Sequence, residues 1–300
     1  MTYSSRSYGG SQDLLLIQDF LVGARSTSGN WGYLHVGDVL WRIFRDPDSD
    51  PEQNIQLWVD DNANLMGFAF FCPPNAVEIQ VHPRIRGRGE LERDMLAWAE
   101  KRRNQSTLIE GEPMLVTDAF EDDEQRIAIL KEHGFRQSEA SNSYLFRDLE
   151  ETIPEPRLPT DFTFQTMGDV NINRWVALHK KVMGSRITAE AYESLKTAPG
   201  YRSALHIVAV APDDSFAAYC LCWLDATNRT GELEPVGTHA AFRRQGLGKA
   251  VVLEGLSRLR QEGAKEAIVY TGSTNDAALK LYESVGFRTL HQFLDFAKWI

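Results

Sequence analysis

Glu232 and Glu234, in "GELEPVGTH", lie two positions apart, and such a pair can relieve an attacking amine of its proton only in special surroundings. An alkylammonium ionises near about 10.4 and a glutamic acid near about 4.3. Direct transfer between unperturbed partners is therefore uphill by about 6 pH units, roughly 8 kcal/mol. Burial that raises the carboxyl, depression of the amine, or a water chain leading outward closes that gap. Residues i and i+2 of a strand share a face, so both carboxyls point the same way. The same spacing also suits a plain solvated strand face. Just beyond lies "FRRQGLGKAVVLEGLSRLRQEGA" (242–264), with two arginines and two glycines ahead of an amphipathic run. A strand entering a glycine turn and then a helix makes an anion site. The first helical turn offers unpaired N–H groups and the positive end of the dipole, and glycines let a phosphate approach the backbone. The spacing is not G-x-G-x-x-G, and no acidic residue suitably ends a second strand, which argues against a dinucleotide.

The elements that must position these groups are legible. "ALHIVAVAP" and "FAAYCLCWL" read as adjacent strands, and "GELEPVGTH" as a third in which Pro235 implies a bulge or an unpaired edge. The helix after Gly248 buries Val252, Leu256 and Leu259 and stops at Gly263. "EAIVY" is the next strand. "NDAALKLYESVGF" is a helix with Asn275 as N-cap and Gly286 past its end.

The first half follows the same plan. "VEIQVHPRIRGRGELERDMLAWAEKR" (77–102) sets Gly89 opposite Gly246, and "AILKEHGF" (128–135) sets Gly134 opposite Gly286. A repeat this long means tandem domains: residues 1–150, a proline-rich linker at 151–161 ("ETIPEPRLPTD"), and residues 162–300. The fold class expected is α/β, two units each with a mixed, largely antiparallel sheet flanked by helices. Residues 1–150 hold 15 Lys+Arg against 25 Asp+Glu, and residues 151–300 hold 17 of each, so no basic stripe favours nucleic acid. No apolar run approaches the roughly 20 residues that cross a bilayer, and the first residues do not read as a signal peptide. Cys72, Cys220 and Cys222 lack metal-ligand spacing and read as buried free thiols of a reducing, cytoplasmic compartment; no metal is expected.

"RRQGLG" resembles the acetyl-CoA signature R/Q-x-x-G-x-G/A of the GNAT N-acetyltransferase superfamily, with Arg243, Gly246 and Gly248 in its fixed positions. "NDAALKLYESVGF" resembles the second family motif, and the tandem layout is similar to that of the mycothiol synthases. The resemblance implies an acetyl-CoA-dependent N-acetyltransferase acting on a primary amine of a small molecule. It implies that the backbone of Arg243, Arg244, Gln245, Gly246, Leu247, Gly248 and Lys249 holds the pyrophosphate. Val236, Gly237 and Thr238 would hydrogen-bond the pantetheine arm and the thioester carbonyl, and Asn275 would touch the cofactor or serve only as a cap. Glu232 takes the general-base position, with Glu234 in reserve. Tyr282 is the family's general acid. A phenol near pKa 10 and a thiol near 8.5 differ by about 1.5 pH units, so protonating the thiolate costs only about 2 kcal/mol. The alternative for Tyr282 is a core aromatic.

The first half departs from this pattern. Leu91 stands opposite Gly248, where it would crowd a pyrophosphate, and Glu90 would repel a phosphate by about 3 kcal/mol before screening. Leu130 stands opposite Tyr282, and the acidic run Glu121–Glu124 opposite Asn275. A silent scaffold is expected there, with "NWGYLHVGDVLWRIF" (30–44) more core than binding face. The runner-up for the whole chain is a non-catalytic acyl-CoA-binding or regulatory module. Nothing in the sequence names the amine or the oligomeric state.

Overall fold

The computed structural model describes all residues except 1–2, 30–31, 48, 107–112 and 169, so Asn30 and Trp31 of the aromatic stretch lie outside the described residues. The chain forms two compact units, and they interleave in sequence. The first comprises Met1–Leu34, Asp48–Ser143 and His291–Ile300; the second comprises His35–Pro47 and Tyr144–Leu290.

In the first unit the helices are α1 (Ser11–Ser28), α3 (Pro51–Asn54), α4 (Glu90–Gln105) and α5 (Glu124–Glu132); α2 (Val36–Phe44) belongs to the second. The strands β1 (Tyr3–Ser7), β2 (Ile55–Asp60), β3 (Leu65–Cys72), β4 (Ala76–Val81) and β5 (Met114–Phe120) lie in that order. The far end of β12 (Arg288–Trp299) follows β5, antiparallel from Phe293↔Phe120 to Trp299↔Met114. Phe296 on β12 is fully buried in the core made by Phe71, Met95, Leu96 and Leu115. Strand β6 (Arg136–Asp148) leads from this unit into the next.

The second unit orders its strands β6, β11 (Glu266–Gly272), β10 (Thr230–Thr238), β9 (Phe216–Asp225), β8 (His206–Val210) and β7 (Thr163–Thr166). Helix α8 (Leu247–Gln261) packs on one face of β8–β10, burying Val252, Leu256 and Leu259 against Ile207, Cys220 and Cys222. The two thiols sit 3.5 Å apart and free, as strand alternation requires. Helices α2, α6 (Ile172–Met183) and α7 (Ala189–Thr197) also belong here, with α2 and α6 packing on β9 and β10. Helix α9 (Asp276–Glu283) completes the unit, capped by Asn275 and followed by Gly286 at φ 90°. The expected sheet, bulge, caps and helices of this half are all present.

A division into residues 1–150 and 162–300 is not how the contacts fall. Backbone hydrogen bonds carry the last strand to β5, and side-chain packing carries α2 to β9. Gly37 makes the latter possible: a Cβ there would run into the Trp223 ring. Residues 151–161 are not a free tether either, since Ile153 and Leu158 pack against the second core.

Candidate active site

The turn ahead of α8 is shaped for an anion. Gly246 is its N-cap at φ 82°, Arg244 is also left-handed at φ 66°, no side chain caps the helix, and its first turn holds no acid. A helix beginning this way keeps its first N–H groups for something other than its own side chains. Arg243, Arg244, Gln245, Gly246 and Lys249 are exposed, whereas Leu247 is buried and offers only its backbone. A Cβ on Gly248 would lie 3.1 Å from Thr238 Oγ1 and 3.5 Å from Leu281, so the turn, the end of β10 and α9 meet at this point. The Asn275 side chain accepts from the Ala278 N–H at 3.2 Å, which makes it a cap; it is also exposed beside this junction.

The carboxylates lie where β10 leaves β11. Their parallel ladder runs from Thr230↔Glu266 to Glu232↔Ile268 and extends no further among the described residues. On its other edge β10 stays paired with β9 through Val236↔Cys220, Gly237↔Tyr219 and Thr238↔Ala218, after a bulge between Leu233 and Val236 that contains the cis Glu234–Pro235 bond. The β11-facing edge of Val236–Thr238 therefore has backbone groups to offer. Glu232 sits before the split and is fully buried; Glu234 sits at it and is partly accessible.

Helix α2 supplies what the sequence did not disclose. His35, its N-cap, places Nδ1 3.1 Å from Glu232 Oε2, and its Nε2 donates to the Thr230 carbonyl at 3.2 Å. The Gly37 N–H donates to the same Nδ1 at 3.1 Å. Asp38 accepts from the His35 N–H at 3.2 Å, and Arg42 Nη2 stands 3.7 Å from its carboxylate. Oxygens of Asp38, Glu232 and Glu234 all lie within 4.8 Å of one another. Burial, then the charge of Asp38 and a hydrogen bond to it, push the Glu234 carboxyl up to about 8. Burial also works against the charge of Asp38, but Arg42, the hydrogen bonds from Glu234 and Glu232, and His35 outweigh it and hold Asp38 below its ordinary value.

Tyr282 is buried on α9 with its ring edge-on to Phe287, centroids 5.7 Å apart, so it does serve the core. Burial raises its phenol, and Cys220, Glu234 and Cys222 add to the effect. It remains a protonated hydroxyl within the electrostatic reach of Glu234.

In the first unit the corresponding places are filled by the chain itself. Glu92, 4 % exposed, accepts from the Gly87 N–H at 2.7 Å and the Gly89 N–H at 3.2 Å, so a carboxylate occupies the anion turn. The split between β4 and β5, which pair at Ala76↔Val116, holds the Arg126 guanidinium. Its Nη1 donates to the Ile79 carbonyl at 2.9 Å and its Nε to the Asp118 carbonyl at 2.8 Å. Lys249 and Ala278 stand at these places in the second unit. Leu91 does not crowd the turn, because it points into the core at 2 % exposure, and Glu90 is exposed. The obstruction comes instead from Glu92 and Arg126.

What the sequence missed was thus His35, Asp38 and Arg42. Its only local trace is the His35–Asp38 capping box and the i,i+4 spacing of Asp38 and Arg42. Neither reveals a partner on β10.

Comparison with known proteins agrees with this fold. Residues 173–287 match the Acetyltransferase (GNAT) family. The mycothiol acetyltransferase of Thermobispora bispora is 28 % identical over 247 residues, covering 77 % of this chain and 79 % of that one. The mycothiol acetyltransferase of Salinispora arenicola is 27 % identical over 288 residues, covering 90 % and 89 %. Among solved structures, a tandem GNAT protein from the clavulanic acid biosynthesis pathway superposes with a TM-score of 0.72 at 17 % identity, covering 99 % of this chain and 98 % of that one. A GCN5-related N-acetyltransferase from Sphaerobacter thermophilus gives 0.67 at 19 %, covering 99 % and 95 %. With motifs and relatives in agreement, residues 173–287 match the GNAT family, and the chain is an acetyl-CoA-dependent N-acetyltransferase that resembles the mycothiol acetyltransferases.

Proposed function

We propose that the second unit moves an acetyl group from acetyl-CoA to the primary amine of a small molecule, and that the first unit neither binds the cofactor nor catalyses. The observation that carries this is the meeting of an open, acid-free helix turn with an accessible carboxyl and a buried phenol, Glu234 and Tyr282. The names of the relatives support a small-molecule acceptor. Acetyl-CoA as co-substrate supports a cytoplasmic location; no described helix is long and apolar enough to cross a membrane.

In this reading Arg243–Lys249 hold the pyrophosphate through backbone N–H groups and Val236–Thr238 hold the pantetheine arm, while strand N–H groups face the oxyanion. Glu234, rather than the sealed Glu232, receives the proton of the ammonium. With its carboxyl near 8 the gap to an ordinary alkylammonium narrows to about 2 pH units, roughly 3 kcal/mol. The amine nitrogen then bonds to the thioester carbon. The C–S bond breaks with its electron pair on sulfur, which takes the Tyr282 hydroxyl proton. The proton lost by the new amide nitrogen returns to Tyr282, and Glu234 releases its own to solvent.

Thiol release from acetyl-CoA, measured across a panel of small primary amines, tests the reaction. Acetylation of at least one amine, abolished in Glu234→Gln, is expected. Release that ignores every amine, or full activity in Glu234→Gln, would remove this assignment.

A further inference from the structure

We propose that Asp38 is a positioning residue for the transfer: its carboxylate keeps a proton on the Glu234 carboxyl in the resting protein and so sets the pH at which Glu234 can act. This rests on Glu234 as the base, but the coupling of the two carboxyls is a separate claim.

Carboxyl groups this close cannot all ionise without strong repulsion, and oxygens of Asp38, Glu232 and Glu234 all lie within 4.8 Å of one another, so a proton must stay among them. The surroundings decide which partner keeps the charge. Asp38 has the His35 N–H at 3.2 Å and Arg42 at 3.7 Å, both favouring an anion. Glu234 faces Asp38 and Arg42 from α2, Arg45 just past the end of that helix and Tyr282 from α9, with Glu232 on its own strand and His35 behind that. The two arginines act on Glu234 less strongly than burial and Asp38 do. The anion therefore settles on Asp38 and the proton on Glu234, the member nearer solvent. Helix α2 is fixed against this strand by the contact of Gly37 with Trp223, whose indole N–H donates to the Glu234 carbonyl at 2.7 Å. Asp38 is thus held in place by packing rather than by the ligand.

The test is a pH titration of the full-length protein carrying carboxyl-¹³C glutamate, followed by NMR, with the Glu234 resonance assigned by its loss in Glu234→Gln. Wild-type Glu234 is expected to ionise well above the ordinary glutamate range. In Asp38→Asn, which keeps the shape but loses the charge, its proton dissociation constant should rise at least about tenfold. Asp38→Glu should restore the high value, which a purely structural role would not require. Ionisation of wild-type Glu234 in the ordinary range overturns the proposal without any variant, and so does an unmoved titration in folded Asp38→Asn. If the titration moves as stated while Glu234→Gln still acetylates amines, the base assignment fails and the coupling stands.

Discussion

Nδ1 of His35 stands 3.1 Å from Oε2 of Glu232, and both side chains are wholly buried. Taking away one partner of such a pair leaves the other's charge or proton uncompensated in the interior, at a cost of about 3–5 kcal/mol. His35 also serves the Thr230 carbonyl and the Gly37 N–H. His35→Ala should therefore lower the urea-unfolding free energy by that amount. A loss within about 1 kcal/mol, the worth of one ordinary hydrogen bond, would show that the contact does not support the fold.

Gly248→Leu puts a large side chain where the turn, the end of β10 and α9 meet. The new side chain must start 3.1 Å from Thr238 Oγ1 and extend across the junction with α9. Calorimetry should show acetyl-CoA affinity falling by at least about a hundredfold, with thermal stability changed by no more than the 1–3 kcal/mol of local overpacking. Unaltered affinity would move the cofactor elsewhere.

Acetyl-CoA should bind once per chain. Glu92→Ala combined with Arg126→Ala empties both occupied places of the first unit, and a second, weaker calorimetric site is expected to appear. Two equal sites in the unmodified protein would contradict the self-occupied cleft. So would a double variant that folds and still binds once.

Tyr282→Phe separates chemistry from packing. The ring and its contact with Phe287 remain, so stability should change by about 1 kcal/mol or less. Loss of the hydroxyl proton should slow turnover by roughly 10²–10⁴-fold. KM for acetyl-CoA should barely move, because the missing contact belongs to the transition state. Full activity in this variant would end the acid assignment.

Stability should fall on the acid side through His179 and His206. Burial holds both imidazoles neutral, down to about 4 for His179 and about 3 for His206, with Arg45 and His179 respectively adding to the effect. The unfolded chain then binds more protons than the folded one below about pH 6.5, so stability drops as the pH falls through that window. Between pH 7 and 5 each ring should cost about 2 kcal/mol. Urea unfolding at the two pH values checks this. His206→Gln should lessen the difference by about one ring's share, and an unchanged difference would refute it.

Local order in this protein is written in short stretches. The glycine turn at 246–248, the Asn275 cap, the Pro235 bulge and the burial of Val252, Leu256 and Leu259 follow from backbone freedom, capping and periodicity, which neighbouring residues determine. The family signature and the tandem plan were legible for the same reason. The tertiary structure alone decided which carboxylate is sealed and which is reachable, because that depends on where β10 parts from β11. It decided that β12 and α2 pack away from their sequence neighbours, since a strand's free edge and a helix's apolar face do not encode their partners. It also placed Glu92 and Arg126 in the first unit's cleft and Asp38 and His35 beside Glu232 and Glu234. Side chains far apart in sequence meet only when packing brings their elements together, and the acidity of the site is a product of that meeting.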